Sequence, residues 1–590
     1  MSSEDAKERS ISGIKYFVVS KDGVLMSLSQ GHKFYFRGKL IFKSIKGTWT
    51  VCGAKLGPDN PHVNIYCPAG YSYLSLESLN EEHDSFSSTD SISKEEKRII
   101  KKFDLGDNSD ILEFLSTSSH LAFLQCLPDA PWNLFLSTHM KFANQKLPLF
   151  EKNKGSQAST PFESALSIRN INPNSTRLFE TLPEWDIALR SISISRENGI
   201  QTPKLLVVGG KGVGKSSFTK YQLNSLLDKS PVYFIDLDPG QAEFTPPGFI
   251  SVHLIKSPVI GPNFTHIYNQ AKISYYIGDV NMCNCGARFL NCAIQLLDEL
   301  KADKEGGSYP WIINTMGFNK GLGIVFMVDI IRLFEPTTIV NIQSRFPKKN
   351  FELDFSPSNI SSIRQNCWVT KPGVPLKYNV LTFKAVPESP NVKEMHSQDN
   401  WGIPEPKKLR AIVLLSYFGA SLFSQKDFFD RKIHSLHELT PVKVPWSEVC
   451  VQLLHVPSSE SKHAVDIMNV SLVSLGCIPD LDVSTPHASK ELFRMIPKTT
   501  IVKSLGFGII RSVDKVRKCF YLLTSLRGPD LNSVNCLSCG AILLPEGCLT
   551  NPSNTEIKGT SSPYVQNHRQ SQPSPLDQPW RRHFKPKLEN

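Results

Sequence analysis

Gly209-Gly210-Lys211-Gly212-Val213-Gly214-Lys215-Ser216-Ser217 follows the apolar run Lys204-Leu205-Leu206-Val207-Val208. It precedes a stretch in which Leu223, Leu226 and Leu227 recur at helical spacing. The pattern G-x-x-x-x-G-K-[ST] therefore stands where it has a mechanism, in a turn from strand into helix. Glycines let backbone amides turn inward around a phosphate chain, and the helix N-terminus adds the positive end of its dipole. Lys215 is placed to reach the β- and γ-phosphates of a nucleoside triphosphate, and the Ser216 hydroxyl to ligate Mg²⁺. The loop from Gly209 to Ser217, with Lys211, Val213 and Gly214 in it, is expected to form the nucleotide site.

Two further segments point to the same site. The β-prone run Val232-Tyr233-Phe234-Ile235 ends in Asp236-Leu237-Asp238-Pro239-Gly240-Gln241. A P-loop enzyme needs a carboxylate at a neighbouring strand end, close to the metal and the γ-phosphate. Here it arrives on the very next strand, where such enzymes often hold a carboxylate that orients the nucleophile. Trp311-Ile312-Ile313 is again strand-like and runs into Asn314-Thr315-Met316-Gly317-Phe318-Asn319-Lys320-Gly321-Leu322-Gly323. Glycines so dense after a strand mark a loop at the carboxyl edge of a sheet, where open α/β sheets bind ligands. The apolar stretch from Ile324 to Phe334 reads as a buried helix. Strands alternating with helices predict a P-loop α/β core with a parallel sheet and helices on both faces.

Taken together, G-x-x-x-x-G-K-S, D-L-D-P-G-Q and N-T-M-G-F-x-x-G-L-G resemble the polynucleotide 5′-hydroxyl kinases. Leu505–Arg511, Phe520–Thr524, Val534-Asn535-Cys536 and Leu543-Leu544-Pro545-Glu546 resemble the terminal β-domain of the nucleolar, rRNA-processing branch of that family. The likeness runs from about residue 183 to 565 and is most specific in the core. It implies a phosphotransferase that uses ATP and Mg²⁺ on RNA with a 5′-hydroxyl end. Asp238 falls where the family places the base that accepts the proton of that hydroxyl, with Asp236 beside it near the metal. Gln241, Thr315, Gly317 and Phe318 would hold the terminal nucleotide; a sister branch commonly has Trp where this chain has Phe318. Lys407-Lys408-Leu409-Arg410 opens a helix that matches the family's lid, so Arg410 is the lid arginine. The resemblance also implies a nuclear, nucleolar protein. There it would act on pre-rRNA in maturation of the large ribosomal subunit, with an endonuclease that cuts the second internal transcribed spacer.

Two other readings compete. A scaffold that binds ATP and transfers nothing has no need for Lys215, Ser216, Asp238 and Thr315 together. A GTPase would carry Asn-Lys-x-Asp, whereas Asn319-Lys320 runs into Gly321-Leu322.

At 590 residues the chain is too long for one core, and three to four domains are expected. A formal charge of +11 is compatible with RNA without being diagnostic of it. The polar first ten residues argue against a secretory signal. No apolar stretch reaches the span of a bilayer, so a soluble intracellular protein without a membrane partner is expected. Thirteen cysteines without a disulfide-like framework fit a reducing compartment. Cys536-Leu537-Ser538-Cys539 has no second pair to complete a zinc site.

Short β-rich runs between residues 14 and 80, with Lys33–Phe36 and Leu40–Ile45 among them as separate strands, predict a β-rich N-terminal domain over 1–150, with a Ser-rich insertion near 81–110. Residues 151–180 read as a linker, 181–430 as the P-loop domain and 431–550 as a β-rich C-terminal domain. The polar tail 551–590 reads as disordered and carries Pro579-Trp580-Arg581-Arg582-His583-Phe584-Lys585-Pro586-Lys587, a basic–aromatic run suited to clamping RNA, to nuclear import or, as the favoured reading, to docking a partner.

Overall fold

The computed structural model describes residues 9–11, 13–79, 97–98, 100–101, 109–139, 149–150, 160–171, 178–197, 202–267, 270–363, 368–369, 376–386, 405–423, 436–456, 463–479, 481 and 493–545. The Ser-rich insertion near 81–110 lies mostly, and the basic tail 551–590 wholly, outside the described residues.

The strand that carries the P-loop, β1 (Lys204–Gly209), alternates its side chains between two cores. Leu206 and Val208 join one cluster, Leu205 and Val207 the other. Such alternation on a strand buried on both faces requires helices above and below. Helix α1 (Lys215–Leu227) follows β1 and packs with Trp185 of the preceding helix on one face. Strands β2 (Val232–Leu237), β3 (Phe249–Ile255) and β4 (Ile273–Tyr276) come next. They are followed by helix α2 (Met282–Ala302), strand β5 (Trp311–Thr315), helix α3 (Leu322–Phe334) and strands β6 (Thr338–Gln343) and β7 (Asn379–Lys384). Phe289 and Leu296 of α2 and Phe326 and Ile330 of α3 fill the opposite core.

The strands run β7-β6-β1-β5-β2-β3-β4, parallel from β7 to β2. Beyond β2 the sheet turns antiparallel through β3 and β4, which the parallel-sheet expectation lacks. It then pairs Tyr275 of β4 with Lys503 of a strand spanning Lys503–Asp514, so the C-terminal strands continue the same sheet. Arg288 on α2 crosses that junction, donating to the carbonyls of Lys498 and Thr500 at 2.9 Å each.

The N-terminal strands form a separate ten-stranded sheet. Lys33–Phe36 and Leu40–Ile45, expected as two strands, fuse into one over Lys33–Lys46. Gly38 allows this: at φ 137° it bends the strand where Ile168 packs, and an added Cβ would lie 2.9 Å from the Ile168 side chain. Part of the expected linker is therefore structured. Thr160 and Glu163 cap a short helix, Pro161–Leu166, and Arg169–Asn170 pairs with the long strand.

Helix α4 (Pro406–Leu422) ties the three regions together. Its Phe418 packs in one cluster with Trp132 and Phe135 of the N-terminal region. Ser416 Oγ donates to the carbonyl of Phe264, and Phe507 N donates to Tyr417 Oη at 3.0 Å. No helix among the described residues is long and apolar enough to cross a membrane.

Candidate active site

The P-loop closes over the end of β1. Gly214 caps α1 at φ 97°, a conformation that a side chain would strain. Lys215, the first residue of the helix, is buried and donates from Nζ to the carbonyls of Gly209 at 2.9 Å and Gly210 at 3.1 Å. Burial pulls its pKa down to about 8, partly countered by the carboxylate of Asp238. Val213 turns into the core beside Phe218.

At the end of β2 the two aspartates separate. Asp236 still belongs to the strand and is fully buried. Its Oδ1 accepts from Asp238 N at 3.1 Å and Asn314 Nδ2 at 3.0 Å, and its Oδ2 accepts from Glu243 N at 2.6 Å. Burial still pushes its pKa up to about 7. Asp238 lies past the strand end, where its Oδ1 accepts from Gly240 N at 2.9 Å and Gln241 N at 3.2 Å. Its Oδ2 takes no hydrogen bond among the described residues, and its pKa is raised by burial against the pull of Lys215.

These elements enclose a cleft of about 460 Å³. Lys211, Lys215 and Ser216 form one wall, Asp238 and Gln241 a second, Gly317 and Phe318 a third, and Arg410 of α4 reaches in from above. Burial lowers the Arg410 pKa while the charges of Asp238 and Asp279 raise it, which places the guanidinium in their field.

Several expected site residues stand elsewhere. Asp236, expected at the metal, does not line the cleft, because its carboxylate is spent on backbone and amide donors. Thr315, expected to touch the acceptor, is fully buried and donates to the carbonyl of Val207. It clips β5 to β1 instead of facing the cleft. Gly317 serves by being small: an added Cβ would lie 2.8 Å from Lys211 N. Sequence reasoning missed Asn314 as the partner of Asp236, although a polar side chain in a buried strand signals a fixed hydrogen bond. It also missed Val280, Asn281 and Met282, which complete the cleft from the loop before α2. There the signal was Asn281 itself, the N-cap of that helix.

The donor set suits Mg²⁺. That ion takes one or two protein oxygens and completes its shell with water and phosphate oxygens. The exposed Ser216 hydroxyl supplies one such oxygen at the cleft wall, beside Lys215.

Three family models match the chain. Residues 209–371 match "mRNA cleavage and polyadenylation factor CLP1 P-loop". Residues 13–171 match "Polynucleotide 5′-hydroxyl-kinase NOL9, N-terminal domain", and 437–545 match "NOL9-like, C-terminal domain". The chain is 26% identical over 577 residues to Polynucleotide 5′-hydroxyl-kinase NOL9 of Homo sapiens, covering 92% of this chain and 77% of that one. It is 26% identical over 555 residues to the protein of the same name from Danio rerio, covering 91% and 74%. A solved Clp1p chain aligns at 12% identity with a TM-score of 0.45, covering 89% of this chain and 99% of that chain.

Proposed function

This chain belongs to the polynucleotide 5′-hydroxyl-kinase family, and from that premise we propose that it transfers the γ-phosphoryl group of ATP to the 5′-hydroxyl end of RNA. The observation that carries the proposal is the free carboxylate oxygen of Asp238, which faces the same cleft as Lys215 and Arg410.

In this reading Asp238 accepts the proton of the 5′-hydroxyl as its oxygen bonds to the γ-phosphorus. The bond from that phosphorus to the β,γ-bridging oxygen breaks, and ADP leaves with the electron pair. Asp238 suits the task because two backbone amides fix one oxygen while the raised pKa makes the other a better base than an exposed aspartate. The transition state is loose, so most of the catalysis is positioning and charge neutralisation. Lys215 from below and Arg410 from above supply fixed positive charge where the γ-phosphoryl oxygens gain negative charge. Ser216 would hold Mg²⁺, which when bound adds charge neutralisation at the phosphates. Phe318 offers a ring at the cleft wall on which a terminal base can stack.

We further propose that the RNA is pre-rRNA cut in its second internal transcribed spacer, and that the protein works in the nucleolus with the endonuclease that makes the cut. A cut that leaves a 5′-hydroxyl creates the substrate of this reaction, and matches to NOL9 domains on both flanks of the P-loop domain support the assignment. The reaction is tested by transfer of labelled γ-phosphate to a 5′-hydroxyl RNA oligonucleotide, comparing wild type with Asp238→Asn. Transfer that collapses in the variant is expected. Its absence from folded, ATP-binding wild type, with the endonuclease added, would leave a scaffold that binds ATP without using it.

A further inference from the structure

A second cavity, of about 190 Å³, adjoins the P-loop cleft and shares Ser216, Gln241 and Arg410 with it. Its remaining polar wall comes from four places. Ser217 and Lys220 lie on α1, Glu243 and Thr245 lie in the loop after β2, Asn263 opens a short turn after β3, and Tyr71 comes from the N-terminal region. Tyr71 thus brings the N-terminal region to the edge of the catalytic cleft.

The polar inventory of this cavity is incomplete. Thr245 Oγ1 and Tyr71 Oη are both buried, and neither has a hydrogen-bond partner among the described residues. Thr245 is only 7% exposed. Glu243 is buried too, and its Oε1 meets His266 Nε2 at 2.9 Å and Lys220 Nζ at 3.3 Å. Those partners hold its carboxyl below the usual range despite burial. Its second oxygen takes no hydrogen bond among the described residues. Buried polar atoms left unpaired are costly, and two hydroxyls beside a carboxylate with a spare oxygen are arranged for a partner.

The chemistry of the wall selects among partners. Of its two cations, Lys220 is already tied to Glu243 and to the carbonyl of Gly261, and Arg410 faces the catalytic cleft. What is left open in the cavity, two hydroxyls and a carboxylate oxygen, favours neutral O–H or N–H partners over a phosphate. A flat base would want an aromatic face, but the ring of Tyr71 packs against Phe264 at 5.7 Å between centroids and presents its hydroxyl edge. A sugar with neighbouring hydroxyls both donates and accepts, and a carboxylate is a recurrent partner of ribose hydroxyls. We propose that this cavity binds the hydroxyls of a nucleoside ribose, that of ATP or that of the 5′-terminal nucleotide of the acceptor. The inference rests on the kinase reading, which brings the donor nucleotide to the P-loop and the 5′ end of the acceptor to Asp238, the two sides of the cleft that this cavity adjoins.

The test uses the full-length protein and deoxy substrates. Phosphoryl transfer is measured with ATP, 2′-deoxy-ATP and 3′-deoxy-ATP as donors. The acceptors are an RNA oligonucleotide and its counterpart with one 2′-deoxy sugar at the 5′ end. Wild type is expected to lose roughly two- to tenfold in kcat/KM with either the deoxy donors or the deoxy acceptor, the size of one hydroxyl contact. Loss with the donors identifies the ribose of ATP; loss with the acceptor identifies that of the RNA. Thr245→Val and Tyr71→Phe keep side-chain shape, and at least one of them should erase the discrimination, with thermal melts confirming the fold. Equal kcat/KM for all substrates in wild type, or discrimination unchanged in both variants, overturns the inference and leaves the kinase reading standing. No transfer to any acceptor removes the kinase reading, and this one with it.

Discussion

Asn314 Nδ2 donates to Asp236 Oδ1 at 3.0 Å, between residues that face each other in the parallel register of β2 and β5. The bond joins the second sequence motif to the third and makes Asp236 a hub. It holds the amides of Asp238 and Glu243 as well, and so sets the loop that aims Asp238 into the cleft.

The two aspartates should therefore fail differently. Asp236→Asn turns an acceptor into a group with an N–H₂ that faces N–H donors. It should cost roughly 2–4 kcal/mol in urea unfolding, since each buried unsatisfied donor costs about 1–3 kcal/mol. Transfer should fall with it as the loop shifts. Asp238→Asn keeps an oxygen for Gly240 N and Gln241 N and should unfold within about 1 kcal/mol of wild type. Its transfer rate should collapse. Matching stability losses in the two variants would contradict the division of labour.

Lys215 and Arg410 supply charge from opposite sides of the cleft. Lys215→Ala should lower the transfer rate at least about 10²–10³-fold, the usual size for one preorganised electrostatic donor. Arg410→Ala should lower kcat by a similar factor and change the acceptor KM little, because its guanidinium is assigned to the transferring group. Arg410→Lys should recover part of the rate. Near wild-type turnover of Lys215→Ala protein would remove the P-loop site from the mechanism, and an Arg410→Ala effect confined to KM would make that residue a binding group.

What is local in the chain was legible. The turn at Gly214, the helix behind it and the strands that carry Asp236 and Asn314 follow from residue type and spacing alone. Less legible was which way a side chain faces once the strand stops. Asp236 and Asp238 would share a face if the strand continued, but it ends at Leu237 and the carboxylates part. The Thr315 hydroxyl bonds to Val207, more than a hundred residues earlier, and nothing local signals that bond. Gly317, read as a ligand-binding glycine, does line the cleft, and its close approach to the backbone of Lys211 is a second role that spacing alone does not reveal. The antiparallel β3 and β4, and the arrival of Tyr71 beside Glu243, are tertiary facts with no periodicity of their own.

Acid should weaken the fold partly through His253. It lies on β3 at 1% exposure, with Nε2 3.1 Å from Ser251 Oγ and its ring beside Phe244. Burial pushes its pKa down to about 3 from 6.5. Below 6.5 the unfolded chain takes up a proton that the folded one refuses, so stability is full above that pH and falls as the pH drops toward 3. Between pH 7.5 and 5 the loss from this residue should be roughly 2 kcal/mol, at about 1.4 kcal/mol per unit. Urea unfolding of wild type and His253→Phe at both pH values isolates the contribution. An equal acid loss in the two proteins would mean that the ring takes up its proton while folded.

Gly317→Ala tests the contact between the third motif and the P-loop. The added Cβ would lie 2.8 Å from Lys211 N and 2.9 Å from Lys211 Cα, backbone atoms that no change of rotamer can move aside. One of the two loops must shift, and Lys211 belongs to the loop that turns its amides toward the phosphates. Overpacking of this kind costs about 1–3 kcal/mol, so ATP affinity should fall roughly five- to a hundredfold by titration calorimetry. Gly212→Ala is the control. At φ 74° it strains the backbone, but its Cβ meets nothing within 4 Å, so the loop keeps its neighbours. Its affinity loss should be smaller, in line with about 1–2 kcal/mol for a side chain in the left-handed region. ATP binding by Gly317→Ala as tight as wild type would show that the two loops do not touch in solution, and Gly317 would then have no part in shaping the nucleotide site.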